Sequence, residues 1–276
     1  MKRYKADQYW QERLAKDFSL GGVGYLGLGV EYNKWLYKAR TRALSKLLQR
    51  RQINPHGQRI LDIGVGTGFY IDYWKGRGAE FITGLDITDK SISSLKARYP
   101  EYRFVKADIS CQQLLIDGEF DIITAFDVLF HIVDEDRFEQ AIRNIKRLSH
   151  EKTKILITDS FLRNYCPAAF HENDRTLGSY QEVMKNNGIS MLELIPIFYF
   201  TNRPADSAAI RNKFIRVLLP HAWVALMWIL RFNNRLGLLG RRMNSLLGHC
   251  LYLVDGIVLK YTKDGPSSKL LLAQLE

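Results

Sequence analysis

Three glycines at alternate positions, Gly64, Gly66 and Gly68, follow directly on the apolar run Ile60-Leu61-Asp62-Ile63. The run reads as a buried strand. A glycine loop straight after it lets the backbone approach a ligand in conformations closed to other residues. Such a loop at the carboxyl end of a first strand is where doubly wound sheets bind ligands. A second polar group stands at a matching distance: Asp86 ends the apolar stretch Phe81–Leu85, 20 residues after Gly66. An acid there can accept hydrogen bonds from ribose hydroxyls. Loop and acid together predict a nucleoside-bearing cofactor, though the spacing does not say which. The plainer reading of the glycines is a tight strand-to-helix turn.

The elements that must hold these residues alternate along the chain. Strands are predicted at 59–63, 81–85, 102–105, 120–125 and 154–158, and helices at 69–75, 90–98 and 135–148. Short apolar strands alternating with helices imply a parallel sheet covered on both faces. A helix over 177–187, stopped by Asn187-Gly188, precedes a strand at 191–200, and a last strand is predicted at 269–275. Upstream, 7–20 and 31–51 read as helices. Between them Leu20–Gly29 holds five glycines and reads as a flexible or tightly turned connector; without a Lys-Ser/Thr ending it is no P-loop. The division that follows is 1–58 as an N-terminal helical cap, 59–200 as the cofactor-binding core, 201–266 as a basic, apolar, partly helical insertion, and 267–276 as the final strand of the core.

Asp62-x-Gly64-x-Gly66-x-Gly68 resembles motif I of the class I S-adenosylmethionine-dependent methyltransferases, whereas dinucleotide enzymes have G-x-G-x-x-G. The likeness continues through Gly84-Leu85-Asp86-Ile87, Val105-Lys106-Ala107-Asp108-Ile109 and Phe120–Ile132, covering roughly 55–160. It implies an α/β fold: a Rossmann-like seven-stranded, mostly parallel sheet with an antiparallel last strand. It implies S-adenosylmethionine as cofactor and S-adenosylhomocysteine as product. By the same resemblance Gly64, Gly66 and Gly68 flank the methionine part and ribose, and Asp62 lies near the methionine amino group. Asp86 takes the ribose hydroxyls with Ile87 against the adenine, Asp108 accepts from the adenine amine with Ile109 beside it, and Phe126 lines the methionine moiety. For Asp108 a helix N-cap is the structural alternative.

A hydroxyl acceptor for a methyl group benefits from a base, and histidine is the natural candidate. His131 lies just beyond the fourth strand, and His171 and Arg175 just after the fifth. These are the candidate catalytic residues, with Arg175 as a clamp for an anionic acceptor. A packing histidine at the mouth of the site is the plainer reading of His131. Phe126-Asp127-Val128-Leu129 is not the Asn/Asp-Pro-Pro-Tyr/Phe pattern of enzymes that methylate base amines or amides, which argues against a nucleic acid acceptor. No metal-ligand spacing is visible.

The formal charge is +11, with basic flanks around a slightly acidic middle. That points to an acidic substrate or an anionic surface, or simply to solvated flanking helices. Three scattered cysteines, Cys111, Cys166 and Cys250, suggest a reducing compartment, and Met1-Lys2-Arg3-Tyr4-Lys5 opens no signal-peptide core. A cytoplasmic location is expected, with a peripheral place at the inner membrane face as the variant. The uncharged run Val217–Leu230, 14 residues long, is too short for a span and reads as a buried or interfacial helix. Three functions stand side by side. One is methylation, on oxygen, of a small hydroxylated or anionic molecule such as a natural product or sugar. In it 20–40, 126–131, 165–180 and part of 201–240 wall the acceptor site, with Tyr25, Tyr32, Trp35, Trp223 and Trp228 as its aromatics. The second acts at a membrane surface on a lipid or lipid-linked glycan through 203–242, a stretch that could equally form a homodimer interface. The third is an RNA methyltransferase or a cofactor-binding non-enzyme.

Overall fold

Apolar alternation along the strands builds two core layers from one sheet. In β1 (Arg59–Ile63), Ile60 packs into one layer, and Leu61 and Ile63 into the other. β2 (Phe81–Asp86) divides Ile82 from Leu85 in the same way, and β4 (Phe120–Phe126) divides Ile122 from Ile123. Successive side chains point to opposite faces, so a strand covered on both sides must be apolar throughout. With β3 (Arg103–Lys106), β5 (Ser149–Asp159), β6 (Ile189–Pro196) and β7 (Lys269–Leu275) the sheet has seven strands in the order β3-β2-β1-β4-β5-β7-β6. β1 to β5 pair in parallel and the last strand runs antiparallel, as expected; β7 lies between β5 and β6. The computed structural model describes residues 4–166 and 169–276. Met1-Lys2-Arg3, part of the stretch expected to open no signal-peptide core, and Pro167-Ala168, part of the expected 165–180 wall, lie outside the described residues.

Helices α4 (Phe69–Lys75), α5 (Asp89–Arg98), α6 (Glu135–Arg147) and α7 (Leu177–Asn186) fall close to where the sequence puts them. Three start at capping side chains: Thr88 accepts from Ser91 N, Asp134 from Arg137 N and Thr176 from Ser179 N. Each cap satisfies one amide that the first turn leaves unpaired.

The predicted strand 191–200 starts two residues earlier and stops at Pro196. Proline lacks the amide for a further ladder bond. The amides of Tyr199, Phe200 and Thr201 go instead to the fully buried carboxylate of Asp255. The predicted helix 7–20 is broken into α1 (Ala6–Lys16) and the four-residue α2 (Leu20–Val23); α3 follows at Gly29–Arg50. The glycine connector takes the tightly turned form. Ser19 caps α2, Arg13 donates to Gly24 O, and Asn33 holds both the amide and carbonyl of Tyr25.

The insertion between β6 and β7 is more helical than predicted: α8 (Lys213–Asn234) and α9 (Gly237–Tyr261) form a hairpin packed against α3. Of the two forms expected, buried or interfacial, the fully buried one does not hold. α8 buries Leu219, Trp223, Met227 and Leu230 but exposes Phe214, Val217, Trp228 and Phe232. It runs beyond the uncharged 14 residues because charged side chains at both ends continue the helix into solvent. Among the described residues it is the one helix long and apolar enough to cross a membrane, by length and composition.

Candidate functional site

The glycine loop joins β1 to α4 and forms the floor of a cavity of about 430 Å³ above the carboxyl ends of the central strands. Gly64 and Gly66 have φ of +73° and +53°, the left-handed region that L side chains avoid. A Cβ on Gly64 would stand 2.3 Å from Val128 Cγ2, whereas one on Gly66 would meet only Val23, at 3.3 Å, among side chains, and would otherwise point into the cavity. Gly68 is the left-handed first cap of α4 and is not part of the lining.

Asp86 ties the loop to the second strand. Its Oδ2 accepts from Gly66 N at 2.9 Å, and its Oδ1 accepts from Thr88 N and Oγ1 at 2.9 and 2.8 Å. A carboxylate has about four lone-pair positions, so three internal bonds leave one free. Burial pushes the Asp86 carboxyl up, and the Thr88 and Gly66 donors pull it back. Asp62 lies under the loop, 1% exposed and outside the lining. Its Oδ1 accepts from Thr124 Oγ1 at 2.7 Å, and its Oδ2 is buried with no partner. Burial pushes this carboxyl up to about 7, against the Thr124 bond.

At one end of the cavity stand Ile87, Asp108 and Ile109. Asp108 caps no helix: its Oδ1 accepts from Ser110 N and Oγ, and its Oδ2 pairs with Arg137. At the other end stand Phe126, with the Tyr70 ring tilted against it at 4.5 Å between centres, and His131. Trp10 of α1 packs edge-on to His131 at 4.9 Å. His131 Nδ1 donates to the His171 carbonyl at 3.0 Å, which leaves Nε2 as the acceptor. Burial lowers the His131 pKa to about 3, so the ring stays neutral across ordinary pH; the expected base poised near working pH is corrected accordingly. Asp127, beside it, is a non-glycine residue at φ +58°, held by an Arg40 ion pair at 2.6 Å and by two hydrogen bonds with Thr158. Strain of this kind costs on the order of 1 kcal/mol and persists where neighbours over-determine it.

Two catalytic candidates land elsewhere. Arg175 is 3% exposed. Its guanidinium pairs with Glu135, donates to Leu129 O and Ile132 O, and covers the Phe138 ring at 3.8 Å. It is a brace under the His131 turn, and the anion-clamp expectation fails because every face of the fork is engaged. His171 does not line the cavity; it stacks behind His131 with ring centres 5.6 Å apart. Its Nε2 lies 3.3 Å from Glu172, and among the described residues His131, His171 and Glu172 gather ligand atoms within 4.8 Å of one another. No sequence spacing announced that grouping, because two chain segments supply it.

The lid also differs from expectation. Tyr4, just before α1, closes the cavity with Trp10 and Leu14 of α1, Val23 of α2 and Tyr37 of α3. Neither the 201–240 stretch nor the described residues of 165–180 line it, and none of Tyr25, Tyr32, Trp35, Trp223 and Trp228 does. Tyr32 and Trp223 are core residues because those helices pack on the sheet, not over its carboxyl edge. Trp10 and Arg137 are lining residues the sequence reading missed, and Tyr37 falls inside the expected 20–40 wall without having been singled out; nothing local distinguishes them from ordinary amphipathic positions.

Residues 60–152 match the family model described as a methyltransferase domain. The chain is 29% identical over 143 residues to O-methyltransferase rstn1 of Aspergillus nomiae, covering 48% of this chain and 62% of that one. It is 29% identical over 83 residues to a ubiquinone biosynthesis O-methyltransferase of Albidiferax ferrireducens, covering 28% and 32%. The chain thus spans less than two thirds of these curated relatives. In structure it is similar to the magnesium protoporphyrin IX methyltransferase of Synechocystis with bound S-adenosylmethionine. The TM-score is 0.52 at 14% identity, over 70% of this chain and 91% of that one, a likeness of fold. This chain carries a class I, Rossmann-like methyltransferase domain, and S-adenosylmethionine is the methyl donor of that class.

The cavity fits such a group. Asp62 Oδ2 is an acceptor without a partner, suited to an ammonium, and the space above Gly66 is one a side chain would fill. Tyr70, which lines the cavity, likewise has a buried hydroxyl without a partner.

Proposed function

We propose that this chain transfers a methyl group from S-adenosylmethionine to a hydroxyl oxygen of a small molecule. The observation that carries the reading is the two-ended cavity: a hydrogen-bonding floor at the glycine loop, Asp86 and Asp108, and an aromatic end holding a neutral His131. When bound, the sulfonium supplies an electrophilic methyl. Asp62, just under the loop, would hold the amino group, Gly64 and Gly66 would let the backbone pass close, and Gly68 sets the turn. Asp86 would accept from the ribose through its remaining lone pair, Ile87 and Ile109 would pack against the base, and Asp108 would accept from its amine. Phe126 and Tyr70 border the reacting end. Residues 1–58 act as the cap and 59–200 with 267–276 as the core.

His131 Nε2 would accept the hydrogen bond of the acceptor hydroxyl and take its proton as the carbon–oxygen bond forms and the sulfur–carbon bond breaks, with S-adenosylhomocysteine as the leaving group. With a pKa near 3 it is a weak base, so it acts late, and positioning by Trp10 and Phe126 supplies much of the rate. His171 orients His131 through its carbonyl. The relatives named as O-methyltransferases support oxygen as the acceptor atom.

Calorimetry with S-adenosylhomocysteine and a tritiated methyl-transfer assay over a panel of phenols, sugar alcohols and matching amines test this. Binding of the homocysteine product, with label entering hydroxyl compounds, is expected. Label entering only the amines, or absence of product binding, would refute it.

A further inference from the structure

The hairpin of α8 and α9 has an outer face that the cavity does not use. On α8, Phe214, Val217, Val224, Trp228 and Phe232 recur at helical spacing, each at least half exposed. On α9, Leu239, Leu246, Leu253 and Ile257 do the same. A soluble surface scatters such side chains singly; a contiguous stripe marks an interaction surface. Between residues 207 and 254 there are seven Arg and Lys and no Asp or Glu. All seven are exposed. At the tip, Leu236, Leu238 and Leu239 are ringed by Arg231, Arg235, Arg241 and Arg242, and among the described residues none of these four is in a recorded ion pair.

We infer that the α8–α9 hairpin docks this protein on an anionic lipid bilayer, lying in the interface with its apolar stripe down. Apolar side chains mixed with arginines and lacking acids match the chemistry of that surface, where apolar groups enter the acyl boundary and cations meet phosphate. A second copy of the chain would bring seven like charges against seven. Spanning is opposed by the inner face. Asn233 Nδ2 donates to Asn244 Oδ1 at 2.9 Å, Asn244 donates to Leu230 O, and both asparagines are buried. At Gly240 a Cβ would stand 1.7 Å from Asn233 O, so the two helices touch backbone to backbone. α8 is thereby fastened to α9, and Asp255 fastens α9 to the amides after β6. The tip also meets the cap: Asn234 donates to Gly27 O at 3.1 Å, in the loop that follows α2, whose Val23 lines the cavity. Exposed Tyr25 and Leu26 of that loop extend the apolar surface toward the lid. This inference does not rest on the acceptor chemistry proposed above.

The test is co-sedimentation of the full chain with vesicles of phosphatidylcholine alone and with added phosphatidylglycerol, at low and high salt. Salt-sensitive binding to the anionic vesicles is expected. Arg241→Glu with Arg242→Glu should lower the partition coefficient at least tenfold, and Trp228→Asp with Leu239→Asp similarly. Circular dichroism and S-adenosylhomocysteine affinity should be unchanged in both, which separates docking from folding and from the cofactor site. Three results would overturn the inference: no anionic-vesicle binding by the wild type; retention on membranes through alkaline carbonate, as for a span; or a dimer by light scattering that Leu239→Asp splits while vesicles are ignored.

Discussion

The glycine-loop floor and the α8–α9 hairpin are opposite solutions to placing polar and apolar groups. At the floor, polar groups are sunk among apolar neighbours and paired one by one, as when Gly66 N meets Asp86 and Thr124 meets Asp62. Two are left without a partner, Asp62 Oδ2 just under the loop and the hydroxyl of Tyr70, a residue that lines the cavity. In the hairpin a row of apolar groups lies outside, and the buried positions of α9 are polar or small, Gly240, Asn244, Gly248 and Asp255, while α8 buries Asn233 beside four apolar side chains. A buried unpaired polar atom and an exposed unpaired apolar face both call for a partner, one a small molecule and the other a surface.

The comparison breaks most directly at Gly66. Gly66→Val puts a β-branched side chain at φ +53° and into the cofactor volume. S-adenosylhomocysteine binding by calorimetry should fall below detection, a loss of 10²-fold or more, roughly 3 kcal/mol. Retained binding would remove the loop from the site. Next is His131→Ala, for which turnover should drop about 10²-fold with product affinity nearly unchanged, the usual scale for a positioned acid–base group. Unchanged turnover would leave catalysis to positioning alone.

Arg175→Ala separates brace from clamp. It should destabilise folding by about 2–4 kcal/mol in urea titration, since Leu129 O and Ile132 O lose their donor and Phe138 its cover. A stable variant with only a raised KM would restore the clamp. Asp62 offers a pH test. Its carboxyl sits at about 7, so the free protein carries a proton there below that pH. An ammonium partner favours the carboxylate, so binding expels the proton, and affinity should rise with pH up to about 7 and then level. Asp62→Asn should flatten that rise and weaken binding about tenfold, as for a lost charge-assisted hydrogen bond. The smallest effect is expected at the hairpin tip. Leu238→Asp, on a side chain 76% exposed, should leave thermal stability and cofactor affinity within error. A large stability loss there would mean the tip is packed in solution.

The local sequence determined the floor. A strand, a glycine loop and an acid at the end of the next strand are set by short-range periodicity and by backbone conformations only glycine adopts freely, so Gly64, Gly66 and Asp86 were legible with no partner in view. The antiparallel β7 followed from the family likeness and the element order, whereas the order of the strands, with β7 between β5 and β6, came from the tertiary structure. The acceptor end was decided by the tertiary structure. Trp10 reaches His131 across more than a hundred residues, Arg175 turns inward because three acceptors wait there, and His131 loses its ordinary pKa to burial that no window of sequence displays. The hairpin fell between these. Its apolar and basic composition was plain from the sequence, but which side of each helix faces water depends on how closely α8, α9 and α3 approach, and that rests on Gly240 and Gly248 lying against Asn233 and Trp35.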